Sequence, residues 1–145
     1  MFFLGQYEHS IDDKGRMTVP SRYRDLLAGG AFITQGFDNN LMVLTVDSFQ
    51  KLSDQVNAQS ITDPLARKLK RLIFSNADRV DIDKSGRILI PAFLRQIVQL
   101  NGSAVVVGMG PYFEIWAPKP WEQHTQEDQN QESNEHRFSA FDLAL

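Results

Sequence analysis

Apolar and polar positions alternate along several short stretches of the chain, and the alternation restarts on the same phrase twice. In Arg16-Met17-Thr18-Val19, Met17 and Val19 fall on one side of an extended segment and Arg16 and Thr18 on the other. In Arg87-Ile88-Leu89-Ile90, Ile88 and Ile90 take the inner side, with Arg87 and Leu89 outward, so Leu89 departs from clean alternation. Each segment is preceded by Asp-x-x-Gly (Asp12 to Gly15, Asp83 to Gly86), the residue preference of a type I turn, and is predicted to leave a β-hairpin tip. Each is followed by a proline, Pro20 or Pro91, expected at the first position of a short helix. Those helices are predicted over Ser21–Leu27 and Ala92–Val98, with apolar residues at i, i+3, i+4: Tyr23, Leu26, Leu27 and Leu94, Ile97, Val98. Strand pairs come next, Ala31–Gln35 with Leu41–Val46 and Ala104–Val107 with Phe113–Ala117, around glycine-containing turns.

At a constant offset of 71, residues 11–27 match residues 82–98 with six identities: Ile, Asp, Gly, Arg, Pro and Arg. The repeat spans about half the chain, so it is an internal duplication of a β–β–α–β–β unit. Phe2-Phe3-Leu4 and Tyr7–Ile11 read as strand-like openings. Between the halves, Asp47-Ser48 is expected to cap a helix running to about Val56. Thr62-Asp63-Pro64 starts another over Leu65–Phe74, with Leu65, Leu69, Leu72 and Ile73 as its apolar stripe. The organisation expected is a first half over 1–56, a linker and basic helix over 57–73, a second half over 74–121 and an acidic polar tail over 122–145. Gln123–Arg137 reads as flexible or weakly helical, and the apolar Phe138–Leu145 as a segment that docks.

Composition changes this picture in two ways. Forty-two per cent hydrophobic residues and no long apolar run fit a soluble globular chain, and the absence of cysteine excludes disulfides and thiolate metal sites. The start lacks the basic and long apolar regions of a secretory signal, and the absence of cysteine fits a cytoplasmic protein. The net charge of −3 is unevenly placed: residues 1–121 carry 14 Lys/Arg against 12 Asp/Glu, whereas 122–145 carry one Arg against six acids. The folded part is therefore slightly basic.

Arg16 and Arg87 are the leading chemical candidates. Related by the duplication, they would stand on one surface about a pseudo-twofold axis, where guanidinium groups can clamp phosphate or reach guanine in a major groove. The alternative is that each merely pairs with its own Asp12 or Asp83 to brace the turn. Lys14, Lys84, Arg24 and Arg95 add charge near the tips. Arg67, Lys68, Lys70 and Arg71 form the densest basic cluster, either a solvated face or a phosphate- or subunit-facing patch. Asp12-Asp13 and Asp81-x-Asp83 could be carboxylate pairs for acid–base work, but turn formation already accounts for Asp12 and Asp83. His9, His124 and His136 show no metal-ligand spacing, and Gly108-Met109-Gly110 is a lone Gly-x-Gly. No catalytic residue, metal or cofactor is expected, and no small-molecule substrate.

Met1-Phe2-x-Leu4-Gly5-x-Tyr7-x-His9, Asp12-x-Lys14-Gly15-Arg16-x-x-x-Pro20, Arg71-x-x-Phe74-Ser75-x-Ala77 and Asp83-x-x-Gly86-Arg87-Ile88-x-Ile90-Pro91 together resemble the MraZ family over residues 1 to about 121. Each half also resembles the AbrB-type swapped-hairpin fold, usually built by a homodimer. The resemblance implies an α+β fold: a duplicated AbrB-like swapped-hairpin β-barrel with pseudo-twofold symmetry, short flanking helices and a connecting helix. It further implies a bacterial, nucleoid-associated DNA-binding repressor that binds tandem promoter repeats upstream of its own division and cell-wall gene cluster, as a ring oligomer and without a membrane. The family motif falls on Asp12, Arg16, Asp83 and Arg87, with Arg16 the first choice for DNA contact. The second copy departs from the first, placing Lys84-Ser85 where the first has Asp13-Lys14. A rival expectation is an interaction module of the same fold without DNA contact.

Overall fold

The computed structural model describes residues 2–128 and 136–144. Its strands are β1 (Gln6–Ser10), β2 (Arg16–Thr18), β3 (Ala31–Gln35), β4 (Leu41–Thr45), β5 (Asp78–Val80), β6 (Arg87–Leu89), β7 (Ser103–Gly108) and β8 (Tyr112–Trp116). The helices are α1 (Ser21–Arg24), α2 (Val46–Asn57), α3 (Pro64–Phe74), α4 (Ala92–Ile97) and α5 (Pro118–Asp128). Both halves thus follow the β–β–α–β–β order, and the chain is an α+β duplicate as expected.

The two halves exchange strands. A six-stranded sheet runs β1-β7-β8-β4-β3-β5, and β2 pairs with β6 in a separate two-stranded ribbon. Read as halves, the order is a palindrome: β1 of the first half lies on β7 of the second, and β5 of the second lies on β3 of the first. The ribbon is centred on Met17 opposite Ile88, two residues separated by the duplication offset itself. These pairings are antiparallel, and the ladders stay open at β1 and β5 instead of joining into a closed barrel among the described residues.

One core lies between the ribbon and the sheet. Met17, Val19, Ile88 and Ile90 from the ribbon segments meet Ile33, Val43, Val106, Phe113 and Ile115 from the sheet, with Tyr23, Leu27, Leu94 and Val98 from the short helical segments. Alternation sends the neighbouring side chains of the same strands to the opposite face. There Met42 and Leu44 pack with Ile73 of α3 and Phe49 and Leu52 of α2, while Val105, Val107 and Trp116 pack with Trp121 of α5. The sheet is therefore covered by the ribbon on one side and by the longer helices on the other.

Several local expectations are corrected. Pro20 and Pro91 sit one position earlier than expected, outside the helix, with ψ of 137° and 142°. From there each supplies the carbonyl that accepts the first helical amide, from Tyr23 at 2.8 Å and Leu94 at 3.1 Å. The helix expected over Ser21–Leu27 tightens after Arg24 into a 3-10 turn, Asp25–Leu27. Thr45, not Asp47-Ser48, caps α2: its hydroxyl accepts from the Ser48 amide at 3.1 Å. Asp63 and Pro64 do start α3 as expected. Its buried face, however, is Ala66, Leu69 and Ile73 at i, i+3, i+7, which leaves Leu65 71% exposed at the rim. Ile97 is likewise exposed. Phe2–Leu4 forms no strand; Phe3 alone bridges to Gly110.

The first part of the tail is helical, one of the two states expected for it. Gln123–Asp128 continues α5, anchored through Trp121 against Trp116 at 5.3 Å; the remainder of that expected stretch up to residue 135 lies outside the described residues. Phe138, Phe141 and Leu143, in the segment expected to dock, are exposed. No helix among the described residues is long and apolar enough to cross a membrane.

Candidate nucleic-acid interface

Each hairpin tip is built by one aspartate. Asp12 Oδ1 accepts from the Lys14 amide (3.0 Å) and the Arg16 amide (2.9 Å), while its Oδ2 accepts from Arg16 Nε at 2.8 Å. Asp83 repeats the pattern with the Ser85 and Arg87 amides (2.8 and 2.9 Å) and Arg87 Nε (3.1 Å). The Arg16 amide chiefly, then its guanidinium and the Lys14 amide, holds the Asp12 carboxyl below its usual range. For Asp83 the Arg87 amide is again the first cause. Both carboxylates therefore stay ionised and keep their arginines oriented. The two roles left open for the arginines are compatible, because each aspartate binds its own arginine through the Nε edge and both side chains stay about one-third exposed. Arg87 Nη1 also lies 3.9 Å from Asp12 Oδ2, linking the halves across the pseudo-axis.

Arg24 and Arg95 are placed differently from the other basic candidates. Arg24 Nε donates to the Val19 carbonyl at 3.3 Å and Arg95 Nε to the Ile90 carbonyl at 3.0 Å. Each guanidinium then covers the tip of the opposite half. A Cβ on Gly86 would come within 2.4 Å of Arg24 Cζ, and one on Gly15 within 2.7 Å of Arg95 Cζ. With φ of +77° and +89°, these glycines serve both as turn residues and as the flat seats of two arginines. Backbone bonds from Val19 N to Gly86 O and from Ile90 N to Gly15 O, both 2.9 Å, fasten the same junctions. The cross-half seating could not be read locally, although Arg24 and Arg95 are among the six repeated identities.

Arg16, Thr18, Arg87 and Leu89 share the outer face of the ribbon, since Met17 and Ile88 point into the core. Lys14 and Lys84 are exposed at the tips. The structure thus gathers Lys14, Arg16, Lys84 and Arg87 around one ribbon, with Arg24 and Arg95 bracing it from beneath. It does not bring the basic helix to the same side. α3 packs on the sheet face opposite the ribbon, and Arg67 there is committed to the Ile61 carbonyl through Nη1 at 3.0 Å. Lys68 and Arg71 instead border a groove of about 620 Å³ lined by Phe37, Leu65, Leu69 and Leu72. Lys70 is half-buried on the same helix.

Reading from sequence also passed over Glu114. It lies buried on β8, accepting from Trp116 Nε1 at 2.9 Å, and loss of solvent raises its carboxyl above the usual range. One charged residue inside the apolar run Phe113–Ala117 was the available sign. Among the described residues, no group of three or more His, Asp or Glu could hold a metal ion.

A family model described as MraZ protein, antitoxin-like, matches twice, over residues 2–72 and 73–143. A protein from Herpetosiphon aurantiacus named Transcriptional regulator MraZ is 43% identical over 120 residues, covering 83% of this chain and 84% of that one. A protein of the same name from Roseiflexus castenholzii is 45% identical over 120 residues, with the same coverage. Another from Dictyoglomus turgidum is 40% identical over 131 residues and covers 90% of each chain. With both halves matched and relatives aligned over most of its length, the chain belongs to the MraZ family of transcriptional regulators.

Proposed function

We propose that this chain is a sequence-specific DNA-binding repressor of its own division and cell-wall gene cluster, working in the cytoplasm on the nucleoid and engaging tandem promoter repeats as a ring of identical subunits. The observation that carries the proposal is the ribbon face. Two arginines held by ionised aspartates, with exposed Lys14 and Lys84 beside them, are presented on a two-stranded ribbon of the width a major groove admits. Arg16 is the principal base or phosphate contact and Arg87 its partner across the pseudo-axis. Arg24 and Arg95 act by holding the two tips together. The names of the relatives support a regulatory role.

A single ribbon carries little charge and would bind weakly alone. Several copies facing tandem repeats raise the effective concentration of each further contact without new interactions. The groove beside α3 lies on the side away from the ribbon, which leaves the ribbon free when subunits associate there. Lys68 and Arg71 then belong to assembly and not to DNA.

The test is a gel shift with the DNA upstream of the protein's own gene, across a salt series, for wild type, Arg16→Ala and Arg87→Ala, with particle size read by light scattering. Wild type should retain the DNA as a multi-subunit particle, and Arg16→Ala should lose about tenfold or more in affinity at unchanged particle size. Undiminished retention by Arg16→Ala would remove the arginine from the interface and favour an interaction module. A strict monomer that binds one repeat tightly would refute the ring.

A further inference from the structure

The outer face of the ribbon carries one residue that neither the turn chemistry nor the core requires. Leu89 is 54% exposed on a surface whose other three members are Arg16, Thr18 and Arg87. Its duplicate is Thr18, so the apolar side chain belongs to the second half alone. Scattered exposed leucines are ordinary on a protein surface, but the place of this one is not arbitrary. The backbone bonds Val19 N to Gly86 O and Ile90 N to Gly15 O mark hydrogen-bonded pairs on either side of the ladder. Alternation then makes Arg16/Leu89 and Thr18/Arg87 the non-hydrogen-bonded pairs, whose Cα atoms approach to roughly 4.5 Å and whose side chains stand closest. Leu89 is therefore beside Arg16, the arginine most firmly bound to its aspartate.

We propose that Leu89 is a specificity-determining residue that packs on the C5 methyl of a thymine next to the base pair addressed by Arg16. The inference rests on the DNA-binding reading above and makes it more specific. A thymine methyl projects into the major groove and is the one apolar group there, so a short branched side chain can reach it while the longer arginine reaches guanine O6 and N7. The pseudo-symmetric position offers Thr18, which has a methyl and a hydroxyl and accepts either kind of base edge. One end of the ribbon then demands thymine and the other does not. A fold with twofold geometry reads a site without twofold symmetry.

The test is a thymine-by-thymine replacement with deoxyuridine in the upstream duplex, which removes only the methyl. Affinities are measured by fluorescence anisotropy for wild type, Leu89→Ala and Thr18→Ala, with light scattering on each protein. Wild type should lose roughly fourfold at one thymine in each bound repeat, the loss of about one methyl-sized apolar contact. Leu89→Ala should bind the unmodified duplex more weakly by a similar factor and show no further loss at that position, whereas Thr18→Ala should keep the loss. Wild-type binding that is indifferent to every replacement would overturn the inference and leave DNA binding standing, as would persistent sensitivity in Leu89→Ala. A changed particle size for Leu89→Ala would place the residue between subunits and also overturn it. Failure of wild type to bind any duplex would overturn the DNA reading together with this one.

Discussion

Replacing Gly86 by alanine tests the seating of one half on the other. The backbone at Gly86 has φ +77°, a conformation that costs a residue with Cβ about 1–2 kcal/mol. The new methyl would also stand 2.4 Å from Arg24 Cζ and 2.5 Å from Arg24 Nε, so the guanidinium must move out by about an ångström to reach ordinary contact. Moving it releases the part-buried bond from Nε to the Val19 carbonyl, worth about 0.5–1.5 kcal/mol. The expected cost is about 2–3 kcal/mol in all, which shifts a urea midpoint by roughly 1 M or more. Gly102→Ala is the internal control, because Gly102 has φ +76° but nothing within 4 Å of the added carbon. It should cost only the conformational part. Arg24→Ala combined with Gly86→Ala should bring the glycine substitution down to the Gly102 value, a coupling that a double-mutant cycle isolates. Equal costs for Gly86→Ala and Gly102→Ala, or no coupling to Arg24, would refute the seat.

Two predictions concern groups buried by the fold. Glu114 has its carboxyl raised first by desolvation, so its ionisation opposes folding. Stability should therefore fall as pH rises from the ordinary glutamate value of 4.5 through the higher folded value. Glu114→Gln, which keeps an acceptor for Trp116 Nε1, should show a higher denaturation midpoint than wild type at pH 7, and the gap should narrow below pH 4.5; a gap that widens with acid would contradict the burial argument. Tyr23 sits in an aromatic cluster with Phe3, Tyr7 and Phe113 and donates to the Leu4 carbonyl at 2.7 Å, with desolvation raising its hydroxyl to about 12. Ultraviolet titration should find it still protonated at pH 11; Tyr23→Phe should remove the step near pH 12 and cost about 1 kcal/mol for the lost bond.

What was legible in the sequence was what neighbouring residues decide among themselves. The Asp12-to-Gly15 and Asp83-to-Gly86 turns followed from two residue types at fixed spacing, and the strands β3, β4, β7 and β8 from their apolar runs. Positions that depend on distant partners were not readable in this way. That Arg24 covers Gly86, and Arg95 covers Gly15, follows from the exchange of strands between halves, which no local pattern announces. Leu65 satisfied a helical stripe yet lies beyond the sheet that the stripe was meant to face, so Ala66 took its place. Asp47-Ser48 looked like a cap, but the strand ends at Thr45, and its hydroxyl reaches the free amide first. The basic helix α3 was visible as charge and invisible as geometry, since only the alternation of β4 shows it to lie behind the sheet.

The palindromic strand order has a consequence for how the chain is made. A ribosome releases β1 first, but the strand it must pair with, β7, begins at Ser103, more than 90 residues later. At roughly 5–20 residues per second the nascent N-terminus waits on the order of 5–20 seconds with its edge unsatisfied. β3 must wait likewise for β5, and the ribbon cannot form until β6 has emerged. Loop-closure entropy over such spans favours late, concerted folding over stepwise growth. A nascent first half, meanwhile, carries the complementary edges that a second nascent first half could satisfy. Chains translated side by side on one messenger are therefore the setting in which this fold is most exposed to pairing with the wrong copy.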